Sequence, residues 1–501
     1  MGVRTHLGEL EDRVRARLKT LADDEVVGRI WARDHTVWKD EPTEIADRLG
    51  WLDAVGPSRE GLGELRALAD EVRRDGLRHV VLLGMGGSCL AAEVVAGVHR
   101  TASLDVLDTT HPDAIARLER ESPLAETVFV VSSKSGTTIE TRSHMAYFLD
   151  LAKDPTHFVA ITDPGTELEA SAEELGFRRV FRAPPDVGGR YSALTAFGLV
   201  PAILSGIDPG ELLESAREAK ARCLPDVPID ENPATVIGAA LGEAALAGRD
   251  KATMAFADPL LPLGAWLEQL LAESTGKDGK GILPVDGEPV GPPEVYGDDR
   301  LFLTTAGAEG PDPSVQLPLR KPGDLGWAFF VLEFATAVAG AVVGIHPFDQ
   351  PDVQSAKDRT AEVLAAGNIR LEPPGDVRQI LDSVRPGDYV AIQAFVDSGG
   401  ETARRLPDLR WRLRDRLRVA TTLGFGPRYL HSTGQYHKGG PNTGVFLQVF
   451  EEPQEDRAVP GEDFSFGQLI AAQAAGDLAA LRERGRRAAR VGAEGLLAWE
   501  G

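Results

Sequence analysis

Two apolar runs in this chain each end in a small turn that opens a helix. The first is Val81-Leu82-Leu83-Gly84-Met85-Gly86-Gly87-Ser88, followed by a helical stretch from Leu90. The second is Val128-Phe129-Val130-Val131-Ser132-Ser133-Lys134-Ser135-Gly136-Thr137-Thr138, followed by Ile139-Glu140-Thr141. A strand that hands over to a helix, and then does so again, points to a parallel sheet covered by helices. Each turn also leaves free backbone N–H groups at the start of a helix, and with the helix dipole these bind an anion. The second turn adds several hydroxyls and one lysine, more polar equipment than a tight turn needs.

The alternation runs through residues 60–205, with apolar and often β-branched segments at 79–84, 104–107, 128–132 and 157–161. A proline-containing stretch, residues 224–233, reads as a linker. The pattern then restarts with a helix over 234–247, a strand over 251–257 and a helix carrying Trp266 to Glu273. A short strand near 300–304 and a long apolar helix near 326–343 follow. Strands at 389–395 and 445–450 flank an Arg-rich helix at 401–418, and the Ala-rich tail 465–499 reads as helical. The expected division is a helical segment 1–50, α/β domains at 51–222 and 234–365, and a C-terminal α/β appendage with a helical tail at 366–501. The expected fold class is α/β: two doubly wound parallel-sheet domains plus a smaller third unit.

Composition narrows the partners. Lys and Arg number 54 against 77 Asp and Glu, a formal charge of −23. That balance argues against nucleic acid or an anionic membrane as a partner. It also opposes a phosphorylated ligand globally, so such a ligand must be held by a local pocket. No stretch reads as a membrane span of ~20 apolar residues, and the N-terminus has no apolar signal core. With 2 cysteines, Cys89 and Cys223, a disulfide framework is excluded and a reducing cytoplasm is expected.

Four further segments stand out. Val187-Gly188-Gly189-Arg190-Tyr191-Ser192 sets an arginine after paired glycines. Glu268 to Lys277 ends a helix on Glu273-Ser274-Thr275-Gly276-Lys277. Gly344-Ile345-His346-Pro347-Phe348-Asp349-Gln350-Pro351 leads on to Lys357, and His431-Ser432-Thr433-Gly434-Gln435-Tyr436-His437-Lys438-Gly439-Gly440-Pro441 forms a polar, glycine-rich turn. Taken singly each has a plain structural reading: Glu273 as a solvated helix end, Arg190 as a surface ion pair, Lys357 as a solvated helix residue. Their order changes that. Gly-x-Gly-Gly-Ser (84–88), Ser-Lys-Ser-Gly-Thr-Thr (133–138), Gly-Gly-Arg-Tyr-Ser (188–192), Glu-Ser-x-Gly-Lys (273–277) and Pro-Phe-Asp-Gln (347–350) together resemble the phosphoglucose isomerase family, whose members are built from two sugar-isomerase domains. The 431–441 turn is similar to the isomerase half of bacterial transaldolase–isomerase fusions.

The resemblance implies an aldose–ketose isomerase for a hexose ester, most simply glucose 6-phosphate to fructose 6-phosphate. Mannose 6-phosphate, a sulfonated hexose and a non-catalytic sugar-phosphate sensor are the alternatives. By motif, Ser133, Ser135 and Thr138, with Lys134 and Thr137, hold the phosphate, and Gly87 and Ser88 line the sugar. Glu273 moves the proton between C1 and C2, and Arg190 stabilises the enediolate. Lys357, with Gln350 nearby, assists ring opening. One carboxylate suffices for the proton transfer, a fixed cation steadies the charged intermediate, and the unreacting phosphate positions the carbons. No cofactor is implied, and no metal-ligand spacing such as His-x-His with a following Glu occurs. The family's ring-opening histidine has no clear counterpart. His346 stands where asparagine is common, so the expectation moves to His437 or His431, with His437 favoured. The resemblance also implies a homodimer, or else an appendage that supplies in cis what a partner otherwise supplies.

Overall fold

The computed structural model describes residues 2–365, 367 and 369–500, with the side chains of 353–358 outside that description. Three sheets organise the chain. The first is fully parallel and runs, edge to edge, Leu104–Leu107, His79–Gly84, Thr127–Ser132, Phe158–Thr162 and Arg179–Arg182. Thr127–Ser132 is buried at every position, as the continuous apolar run of a strand covered on both faces requires. Gly84 pairs with Ser132 across the central strands. The two glycine- and hydroxyl-rich turns therefore leave adjacent strands at the same end of the sheet, where doubly wound α/β sheets bind ligands.

The second sheet runs Arg4–His6, Ser314–Leu317, Arg300–Thr305, Lys251–Ala255 and Leu283–Val285. All its neighbours are parallel except the first pair. The segment 1–50, expected as helical, thus also contributes a strand. Arg4–His6 joins the distant sheet antiparallel, with Arg4 opposite Gln316, and three residues are too few to show a two-residue period. The third sheet runs Ala420–Phe425, Tyr389–Phe395, Gly444–Phe450 and Arg487–Val491, all parallel. Its last strand corrects the expectation of a wholly helical tail. The helix Phe466–Glu483 ends where Gly485 takes φ +67° and its N–H donates to Arg482 O, a left-handed stop. The chain then pairs Arg487–Val491 with Val445–Val449 before the short helix Ala493–Leu497.

Residues 322–343 do reach membrane-span length and hydropathy, contrary to the reading of the sequence. The structure uses them as a core helix: Leu325–Val343 packs against Pro233–Leu246 and Gly210–Ala221, and nearly all its residues are buried.

Candidate active site

The site is built where the two strand-end turns meet the segment 188–191. Glycine is required at two positions. A Cβ on Gly87 would lie 2.3 Å from the carbonyl of Gly189 and 2.8 Å from the Arg190 N. Gly86, at φ +54°, would place one 2.6 Å from His431 O. Backbone thus rests directly on backbone, and Arg190 is set in place by its own main chain. Ser132 Oγ donates to Ser88 O at 2.7 Å, tying the first turn to the second strand.

Arg190 is 3% exposed and every guanidinium nitrogen is used. Nε donates to Ser274 Oγ at 2.8 Å, Nη1 to Gln350 Oε1 at 2.9 Å, and Nη2 to Pro347 O and Asp349 O at 2.8 and 2.9 Å. Nη1 also lies 3.4 Å from Glu273 Oε1. The other Glu273 oxygen accepts from Gln269 Nε2 at 2.9 Å, one helical turn earlier on the same face. The same Gln269 amide donates to His431 O at 2.8 Å. One side chain therefore links the carboxylate of the helix Leu263–Thr275 to the appendage.

His431 is joined to this group through its carbonyl, whereas the His437 ring contacts Tyr389, Tyr429 and Phe446. His431 Nε2 is 2.9 Å from Glu140 Oε1, which also accepts from Gln473 Nε2 at 2.8 Å. An ionised carboxylate only accepts, so Nε2 carries the proton in that bond. His437 is 3% exposed among Tyr389, Tyr429 and Phe446, with Nδ1 3.0 Å from the Tyr389 hydroxyl. Burial, with Lys438 and Arg486 nearby, pushes its imidazole down to about 3. The expectation favouring His437 is thus corrected: its ring belongs to the core of the third sheet. His346 is also structural, because Nδ1 accepts from Phe348 N at 3.2 Å and Nε2 is 3.2 Å from Thr43 O. We expect His437→Gln to keep turnover within a factor of two or three while changing acid stability. A histidine held near 3 when folded and at 6.5 when unfolded binds fewer protons in the folded state, so stability falls as pH drops from 6.5 towards 3. Removing it should spare about 3 kcal/mol of the loss between neutral pH and pH ~4, read by denaturant unfolding at both pH values.

The hydroxyls of the second turn lie close together. Ser133 Oγ donates to Thr138 Oγ1 at 3.1 Å, and Ser135 Oγ and Thr137 Oγ1 are 3.1 Å apart. Thr138 stands at the N-cap of the helix Ile139–Ala152 without a side-chain capping bond. The first-turn N–H groups are thus not capped by that residue. Lys134 departs from its expected place: its Nζ is paired with Asp163 Oδ2 at 2.5 Å, so its charge is already matched. Lys357 falls in the helix Pro351–Ala365, and its side chain lies outside the described residues.

Three participants have no role assigned from the sequence. Glu140 resembles any acidic residue in a first helical turn, yet it is buried and holds His431. Gln269 is signalled only by its spacing from Glu273. Lys277 is buried beneath the Pro347–Gln350 loop, with Nζ donating to His346 O and Asp349 Oδ1 at 2.5 Å each. Burial and the nearby Arg190 push its ammonium down to about 7, against the pull of Asp349.

A buried carboxylate thus stands beside a fully engaged guanidinium, which packs through Gly189 against the turn at the carboxyl end of a doubly wound parallel sheet. A family model described as phosphoglucose isomerase matches residues 69–282. A glucose-6-phosphate isomerase of Rubrobacter xylanophilus is 31% identical over 60% of this chain and 85% of its own length. One from Clostridium novyi is 27% identical over 64% and 87%. Among solved structures, a hypothetical protein from Thermus thermophilus aligns with TM-score 0.61 at 25% identity, over 72% of this chain and 100% of its own. A glucose-6-phosphate isomerase from Chlamydia trachomatis shares the fold at TM-score 0.52 and 21% identity, over 68% and 78%. The chain belongs to the phosphoglucose isomerase family.

Proposed function

We infer that this protein interconverts glucose 6-phosphate and fructose 6-phosphate. The observation that carries the reading is the buried Glu273–Arg190 contact of 3.4 Å. In the reading proposed here, the phosphate sits on Ser133, Ser135, Thr137 and Thr138 and the N–H groups of the following helix. Gly87 and Ser88 bring backbone against the sugar. Glu273 takes the proton from C2 of the open-chain aldose and returns it to C1, and Arg190 faces the negative oxygen of the enediolate. Gln350 holds Arg190 Nη1 in that position. The reaction is placed in the cytoplasm, where the unpaired, buried Cys89 and Cys223 would stay reduced. A coupled assay tests the reading: turnover of glucose 6-phosphate to fructose 6-phosphate is expected, and its absence in folded protein would refute it.

The ring must open before the proton moves. We assign that step to His431, held through Nε2 by Glu140 so that Nδ1 is the nitrogen left for the sugar. His431→Asn should slow glucose 6-phosphate turnover by roughly 10²-fold. A tetrose 4-phosphate, which has no free hydroxyl to close a ring, should lose far less. Equal losses on both substrates would assign His431 to the proton transfer itself.

We propose that the appendage completes the site in cis, since His431 and Glu140 meet within one chain. Specific activity should stay constant on dilution through any dimer–monomer transition seen by sedimentation. A fall that follows dissociation would show that a partner supplies a group.

A further inference from the structure

The edge strands of all three sheets converge on a second cavity of about 500 Å³. Asp108 follows Leu104–Leu107, Asp286 follows Leu283–Val285, and Phe425 ends Ala420–Phe425; all three residues line it. It therefore lies at the carboxyl ends of three parallel-sheet edges, the end at which α/β sheets bind ligands. It is distinct from the catalytic cleft. Glu268 faces it, whereas Glu273 lies five residues on, about 140° around the same helix.

Part of its charge is matched internally. Arg428 pairs with Glu93 and with Asp108, each at 2.7 Å. Glu268 and Asp286 make no ion pair among the described residues. Burial pushes the Glu268 carboxyl up to about 8, with Asp286 adding to the shift, and burial raises Asp286 as well. Opposite them stands Arg410, 5% exposed. Its Nε and Nη2 donate to Thr421 O at 3.0 and 2.6 Å. Its Nη1 has no hydrogen-bond partner among the described residues and lies beside Gly287, where a Cβ would approach it to 3.3 Å. That nitrogen is thus left for a group entering the cavity. So one cavity carries two carboxyls and one guanidinium nitrogen, none of them in a contact ion pair among the described residues, with the charge of Arg410 set against those of Glu288, Asp286 and Glu268.

We propose that this cavity binds a small zwitterion, its ammonium at Glu268 and Asp286 and its carboxylate at Arg410 Nη1. A lone anion fits poorly, since it would face the carboxyls as well. A metal ion fits poorly too: among the described residues no group of three His, Cys, Asp or Glu side chains is placed to hold one.

The test is titration calorimetry on the full chain without sugar phosphate. Glycine, β-alanine and 4-aminobutyrate serve as probes of graded length, with butylammonium and butyrate as single-ended controls. At least one of the three zwitterions should bind saturably, and Glu268→Gln should weaken it roughly tenfold or more, the scale of one charged hydrogen bond. Glu268 makes no ion pair in the fold, so this variant leaves the structural bonds of Arg410 intact, and its thermal unfolding confirms that it folds. Three results would each overturn the proposal: no saturable zwitterion binding, butyrate binding as tightly as 4-aminobutyrate, or an unchanged affinity in Glu268→Gln.

Discussion

Glu273→Gln is expected to lower kcat for glucose 6-phosphate by about 10⁴-fold, the upper end of what a positioned general base contributes, with KM changed little. The substitution isolates the chemistry because it preserves shape. Glutamine keeps one acceptor oxygen, which can take either the Gln269 hydrogen bond now made at 2.9 Å or the Arg190 contact, but not both. What it cannot do is take a proton. Exchange of the C2 proton of the substrate with solvent should therefore disappear together with turnover. Turnover within tenfold of the parent would remove Glu273 from the role of base, and Glu140, which holds His431, would have to be considered.

Much of this site is legible in the sequence because its glycines and its charges are local. Gly86 and Gly87 cannot carry a side chain without striking His431 O and Gly189, so the Gly-x-Gly-Gly-Ser signal has a packing cause. Arg190 follows its glycines directly, and Glu273 sits four residues before Lys277. Both are placed by segments only a few residues long. The long strands are legible for the same reason: Thr127–Ser132 and Tyr389–Phe395 are buried throughout and are mostly apolar.

What escapes the sequence depends on contacts between distant segments. His431 and His437 stand in one short turn, six residues apart, and nothing local separates them. The third sheet makes the choice by enclosing His437 between Tyr389 and Phe446, while Glu140, far away in sequence, holds His431. Lys134 looks free until Asp163 is brought to it. The short edge strands Leu283–Val285 and Arg4–His6 have three residues each. Pro284 in the first of them is tolerated because an edge strand need not donate on both sides. The strand Arg487–Val491 is hidden by an alanine- and arginine-rich composition that favours helix.

Arg190→Lys should cost about 10²- to 10³-fold in kcat, the loss typical of removing one donor to a developing oxyanion, although the charge is kept. The reason is geometric. The guanidinium reaches four protein oxygens and lies 3.4 Å from Glu273 with a rigid, planar fork. A lysine presents a single ammonium on a flexible stem and cannot span Ser274, Gln350 and the Pro347–Asp349 loop together. Two effects should then separate. The loop carbonyls of Pro347 and Asp349 lose their donor, which lowers stability by about 1–3 kcal/mol and is read by denaturant unfolding. The enediolate loses its aligned cation, which lowers kcat in protein shown to be folded. A variant that loses stability but keeps kcat would confine Arg190 to holding the loop, and the charge facing the enediolate would then have to come from elsewhere, with Lys277, buried beneath that same loop, as the first candidate.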